Sequence, residues 1–316
     1  MGIPSVVSKK FVVPALFLLA LIALATLPLY TSTYTIILLT SIFMYMTITV
    51  SWAMFSGPTG YISLAPAAFF GIGVYAAALL GRELPLPAFI AIGGSASFCL
   101  ALFVGALTLR LKGTYFAIFT FGLGELIRHL MLFWEITVSG IRGRLVVQID
   151  SVTVYYVMFG IFALAFLTAY LIRHSKYGLA LQGIGQEEEA TAHCGVNVTM
   201  VKVFTFALSA FFTGTTGAIM ATKWTYIDPY IAFNPLYSFM PVLMAIFGGM
   251  GQIFGPVLGA GIFAYLEEYL ISTFPYYYML IFGVIMVVAI LYLPDGIVGL
   301  IQKIWKRAQG RRYADT

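Results

Sequence analysis

The chain has 316 residues, of which 61% are apolar or aromatic and only 9% charged, and its mean hydropathy is +0.97. A soluble domain has about 45–50% apolar and roughly 25% charged residues, so a water-soluble fold is excluded. Disorder is excluded too, because disordered chains are poor in aromatics and this one has 27 Phe and 20 Tyr. An all-α, polytopic integral membrane protein remains, forming one domain over residues 1–316. Cys99 and Cys194 make no disulfide framework, and His129, His174 and His193 are too dispersed for a zinc motif.

A helix needs about 20 mostly apolar residues to cross a bilayer, because lipid offers the backbone no hydrogen-bond partners. Ten stretches qualify: 11–29, 34–55, 65–81, 86–109, 114–134, 153–172, 198–221, 236–250, 255–273 and 277–293. The first has two readings. Lys9, Lys10, an apolar run and Ala23-Leu24-Ala25 also fit a cleavable signal segment, which would leave nine crossings. The fifth carries Glu125, Arg128 and His129 on one helix face. Charge inside a span is costly and faces protein or water, so this group reads as a neutralising pair, as part of a pathway or gate, or as a segment nearer the membrane surface than drawn. The eighth is short and ends in glycines. Glu267 and Glu268 lie toward the outer end of the ninth, as rim or interface residues or as substrate ligands. Trp52, Trp134, Trp224 and Trp305 fall near predicted ends, where interfacial anchors sit.

Charge placement orients the chain. With a cytoplasmic N-terminus, 12 of the 17 Lys and Arg residues fall in cytoplasmic segments. Four (Arg82, Arg142, Arg144, Lys223) fall opposite, and Arg128 lies in a span. This fits the positive-inside rule. It places both termini in the cytoplasm, including the basic tail 301–316, so the pI near 9.1 reflects membrane topology and not a nucleic-acid partner.

Glycine is dense at two places: Gly57, Gly60, Gly71 and Gly73 around the third span, and Gly248, Gly249, Gly251, Gly255, Gly259 and Gly261 at the junction of the eighth and ninth. Such residues permit close helix packing or irregular backbone beside a protected cavity. Close packing is the leading reading, and Pro58, Pro66 and Pro256 lend some support to the second. Pro66, Gly71, Ile72 and Tyr75 also recur as Pro256, Gly261, Ile262 and Tyr265, hinting at parallel halves.

The polar stretch 135–152 reads as an ordered or mobile exterior loop. Residues 173–197 form the sizeable cytoplasmic loop. Leu179–Gln182 and Gln186–Ala192 suit a short surface helix, which Gly195 ends by supplying a left-handed residue. Glu187, Glu188 and Glu189 cannot share one partner, since each helical residue turns about 100°.

Several segments resemble the permeases of ABC importers for branched-chain, or hydrophobic, amino acids. Glu189-Ala190 followed by Gly195 matches the Glu-Ala-x4-Gly spacing of ABC-importer permeases, with Thr191 where alanine is usual. Gly60-Tyr61-Ile62-Ser63-Leu64-Ala65 with Phe69 to Tyr75, Arg110 to Thr120 (including Tyr115), Gly248 to Ala260, and Pro294 to Leu300 match further family segments in the family's order. Ala65 replaces a usual glycine, and Val138-Ser139-Gly140 a usual Thr-Gly-Gly. The resemblance is to the M-type subunit of the permease pair.

It implies a multi-pass inner-membrane permease paired with a homologous permease. Two ATPase subunits hold ATP-Mg below, and a periplasmic substrate-binding protein delivers cargo above. The chain itself is expected to be non-catalytic and to bind no cofactor. It has no G-x-x-x-x-G-K-[ST] phosphate loop. Glu187, Glu188, Glu189, Ala190 and Gly195 are the expected ATPase-coupling residues. Ser63, Gly71, Tyr115, Thr120, Glu125, Arg128, Gly249, Gly251 and Pro256 are the expected pathway or gating residues. The alternatives are the same mechanism for urea, short amides or another small solute, and an ion-coupled secondary transporter.

Overall fold

The computed structural model describes residues 26–111, 113–292 and 296–299. A 3-10 turn, Leu27–Leu29, ends the first predicted crossing, and the rest of that crossing, the basic tail and Trp305 lie outside the described residues. Then follow α1 (Thr33–Thr59), α2 (Pro66–Leu80), α3 (Leu86–Thr108), α4 (Thr114–Trp134), α5 (Ser151–Arg173), α6 (Lys176–Gln186) and α7 (Glu188–His193). The remaining helices are α8 (Val198–Ala221), α9 (Pro229–Ala232), α10 (Leu236–Gly248), α11 (Phe254–Thr273) and α12 (Tyr278–Tyr292). Nine predicted crossings thus coincide with helices. Among the described residues, six segments are long and apolar enough to span a membrane: α1, α3, α4 with its extension to Ser139, α5, α8, and α9 with α10.

The centre is α8. It packs most extensively on α3 and α2, while α1 packs on α5, α11 and α8. Small residues set the α2–α3–α8 distances. A Cβ at Gly73 would overlap the Gly214 carbonyl, and one at Gly217 would overlap the Phe70 carbonyl. Ser97 of α3 donates to the Phe69 carbonyl of α2 across 3.0 Å. Close backbone approach with a buried hydroxyl is how helices associate where lipid gives no hydrophobic drive. The second glycine cluster works the same way, with Gly248 and Gly259 bringing α10 onto α11. Glycine thus serves close packing within these helices and also sits in irregular backbone between them, at Gly60 and Gly249.

Two expectations are corrected. Trp52 is no interfacial anchor: it is buried in α1 and donates to the Ser63 carbonyl at 2.7 Å. The loop helix is two helices broken at Glu187, whose backbone is extended (φ −151°, ψ 105°). The stretch 135–152 is ordered: Glu135–Ser139 continue α4 as a π turn, and Arg144–Leu145 (β1) pair antiparallel with Tyr226–Ile227 (β2). In the Pro66/Pro256 repeat both prolines are buried in the first turn of a helix, whereas Tyr75 is buried and Tyr265 exposed.

Candidate functional site

The loop helices are built from local signals. Ser175 caps α6, its Oγ accepting from the Tyr177 N–H at 3.2 Å. Leu181 and Ile184 turn one face of α6 to the bundle, and Gly178 sits against the Ile172 and Arg173 carbonyls, where a Cβ would overlap. Gly185 approaches the Pro58 carbonyl equally closely. Across the Glu187 break, Thr191 Oγ1 donates to the Glu187 carbonyl at 2.8 Å, and its side chain occupies the space that a Cβ at Gly183 would need. This accommodates threonine where the family pattern has alanine. Gly195 has φ +83° and ends the unit as expected. Glu187, Glu189 and Ala190 are exposed.

Glu188 differs from its neighbours. It turns inward, and its two carboxylate oxygens accept from Lys202 Nζ and from the Tyr61 hydroxyl, both at 2.8 Å. Lys202, in the first turns of α8, is 2% exposed. Its ammonium also donates to the Leu109 carbonyl at 3.0 Å and to the Tyr61 oxygen at 3.3 Å, and it lies 4.7 Å from the Tyr61 ring centroid. An ammonium has three N–H donors, and all three are used. Leu109 is the C-cap of α3. One cluster therefore ties α7 to α8, to the end of α3 and to the chain between α1 and α2.

That chain, residues 60–65, is not helical. Gly60 leaves α1 in the left-handed conformation (φ 71°), and the backbone turns back into the bundle. Trp52 reaches Ser63 from seven residues before the end of α1, so the turn runs back along about 10 Å of that helix at 1.5 Å per residue. Backbone buried there needs partners, and side chains of two further helices supply them. Thr120 of α4 accepts from the Leu64 N–H at 2.9 Å. Ser238 of α10 donates to the Leu64 carbonyl at 2.9 Å and accepts from the Ala67 N–H at 3.0 Å. Pro66 then starts α2 at a position where a missing N–H is harmless. The sequence named Ser63 and Thr120, and the structure brings them to one segment. It gave no sign of Ser238 or Lys202. A lone serine in an apolar run has no distinguishing pattern, and Lys202 reads as an ordinary loop-flanking cation.

The other expected pathway residues do not converge there. Glu125 and Arg128 form an ion pair, and the guanidinium lies 5.1 Å from the Tyr230 ring centroid. Gly71 packs against the Phe233 ring, and Tyr115 is 74% exposed at the start of α4. Gly249 takes φ +100° at the α10–α11 turn. Gly251 and Pro256 border a cavity of about 360 Å³ among α1, α5 and α6, and Arg173 there donates to the Gly251 carbonyl. At the other end of α2, Glu135 is fully buried, and no pattern in the sequence sets it apart. It accepts from the Tyr75 hydroxyl at 2.9 Å and from the Gly143 N–H at 3.0 Å. Glu267 of α11 also points inward, to the Tyr45 hydroxyl at 3.5 Å.

Comparison with known proteins places this arrangement. The family model of the branched-chain amino acid transport system permease component matches residues 34–290. The high-affinity branched-chain amino acid transport system permease protein LivM of Escherichia coli K12 is 26% identical, covering 94% of this chain and 80% of that protein. LivM of Salmonella typhimurium is 25% identical, covering 98% and 83%. The ribose import permease protein RbsC of Haemophilus influenzae is 28% identical over 43% of each chain. The chain, with its inward-turning segment and its two loop helices, belongs to the branched-chain amino acid transport system permease component family.

Proposed function

We propose that this chain is one of two homologous permease subunits of an ATP-driven importer for branched-chain or hydrophobic amino acids. It resides in the inner membrane with about ten crossings, and both termini are cytoplasmic. The observation that carries this reading is the family match over residues 34–290 together with near-full-length similarity to two LivM proteins. In this reading α6 and α7 are the cytoplasmic element that the ATPase subunits grip. Their outward face offers Tyr177, Leu179, Glu187 and Glu189. The chain supplies a gated path. ATP-Mg chemistry belongs to the ATPases, and a periplasmic binding protein delivers cargo.

Transport demands that ATPase movement favour one of two permease states through contacts that differ between them. A stiff, capped helix pair fastened to the bundle meets the mechanical requirement. Two experiments test the reading. Ligand screening of the cognate binding protein by thermal shift identifies the cargo, with leucine, isoleucine and valine expected to stabilise it. Stabilisation by urea, amides or sugars alone would refute the cargo assignment. Glu189→Lys reverses an exposed charge on the gripped face, and Gly195→Val forces a branched residue into a left-handed position. Both variants are expected to insert normally and to lose uptake. Full ATP-driven uptake in both would refute the coupling role of α6–α7.

A further inference from the structure

The three acidic residues of the loop do not do one job. Glu187 and Glu189 face outward, whereas Glu188 faces Lys202 and Tyr61. Building on the reading of α6–α7 as the gripped element, we infer that Glu188, Lys202 and Tyr61 form the joint through which movement of that element reaches the 60–65 segment. They are positioning residues for transport.

The argument is one of relative bond strength. Lys202 is buried, and each of its donors is taken by a group from a different part of the chain: Glu188 of α7, the Leu109 carbonyl and the Tyr61 oxygen. Pulling α7 away alone would strand an ammonium out of water, and an uncompensated buried charge is among the costliest defects a fold can carry. The bonds further along are neutral: Trp52 to Ser63, Leu64 to Thr120, and Ser238 to Leu64 and Ala67. Charge-assisted hydrogen bonds are roughly twice as strong as neutral ones. Under load, therefore, the Glu188–Lys202–Tyr61 joint stays closed and the neutral clamps exchange partners. Only two residues separate Tyr61 from Leu64, so a displacement entering at Tyr61 reaches α1, α4 and α10 almost directly.

The test uses the complete importer in proteoliposomes: this chain with its partner permease, ATPases and binding protein, and leucine as probe cargo. Two quantities are read, leucine accumulated per ATP hydrolysed and the nucleotide-dependent change in hydrogen exchange over residues 60–67. Lys202→Met, Glu188→Gln and Tyr61→Phe are expected to retain the ATPases on purification. Each is expected to lose at least tenfold in leucine per ATP, and Lys202→Met to abolish the exchange response. Lys202→Arg, which keeps the charge, should restore part of both. The double variant Glu188→Gln/Lys202→Met should lose no more than Lys202→Met alone, because the joint acts as a unit. Wild-type coupling within twofold in Tyr61→Phe and Lys202→Met overturns the inference, and so do multiplicative losses in the double variant. If Lys202→Met does not assemble, Tyr61→Phe decides, since it removes a single hydroxyl. If wild type accumulates no leucine, the cargo reading has failed and the exchange response alone decides the joint. A response that persists in Lys202→Met and Tyr61→Phe, or is absent in wild type, overturns it.

Discussion

Ser238→Ala isolates the inward-turning segment from everything else. Ser238 is buried, and its hydroxyl both donates to the Leu64 carbonyl and accepts from the Ala67 N–H. Removing it orphans two backbone groups inside the bundle. A buried polar group left without a partner costs about 1–3 kcal/mol, so the pair costs about 2–6 kcal/mol when the site does not relax. At 1.4 kcal/mol per factor of ten, even the lower value raises local opening roughly 30-fold. Hydrogen-exchange mass spectrometry of the purified protein reads this directly as lost protection over residues 60–67. Thr168→Ala is the control: Thr168 is half-buried on α5 and donates within its own helix, to the Leu164 carbonyl. A change of less than threefold in Ser238→Ala, or an equal change in the control, would refute the idea that side chains from neighbouring helices hold this segment.

Two further perturbations follow from the packing. Glu135→Ala leaves the Tyr75 hydroxyl and the Gly143 N–H without their carboxylate acceptor in a fully buried site, at a cost of about 2–6 kcal/mol. Glu135→Gln keeps one acceptor oxygen and should lose about half as much. Thermal midpoints in detergent should rank wild type, Gln, Ala, and equal midpoints would contradict the network. Gly217→Ala drives a Cβ into the Phe70 carbonyl and must separate α8 from α2, costing about 1–3 kcal/mol by overpacking. Gly160→Ala on α5 meets nothing within contact range and should be neutral or slightly stabilising, because alanine favours the helix by roughly 0.5–1 kcal/mol. A reversed order would show that the α2–α8 approach is not set by that glycine.

The helices were legible because lipid makes the rule simple: a crossing must be a long apolar run. Nine runs coincide with helices, and boundaries such as Thr114 and Val198 agree to the residue. Polar positions were harder. Ser63 and Thr120 stood out only because they lie in segments that resemble a family. Ser238 lies in the same kind of apolar stretch without a motif around it, and only the fold brings it to Leu64 across 174 positions of sequence. Lys202 was inconspicuous for a physical reason. A lysine within the first turns of a helix ordinarily extends its ammonium to water, and only a carboxylate from outside the helix reverses that preference. Trp52 failed similarly, since proximity to a helix end does not say whether the ring faces lipid or a carbonyl turned back into the bundle.

The broken span from Gly60 to Leu80 is held near both ends by one device, a tyrosine hydroxyl donating to a carboxylate. Tyr61 binds Glu188 at 2.8 Å, and Tyr75 binds Glu135 at 2.9 Å. Each carboxylate sits at an irregularity, one just past the extended residue between α6 and α7 and the other at the start of the π turn that extends α4. Irregular turns aim side chains where a regular helix would not. The second oxygen separates the two ends. At Glu135 it accepts from a backbone N–H, which fixes a loop. At Glu188 it accepts from a buried ammonium that is also bound to the end of α3. Neutralising Glu135 removes charge but leaves no stranded cation on the bonds it makes, whereas neutralising Glu188 strands one. The two ends of the same span therefore differ in what they can tolerate. The end fastened to the loop helices is the one that resists being pulled apart, which is the property the proposed joint requires.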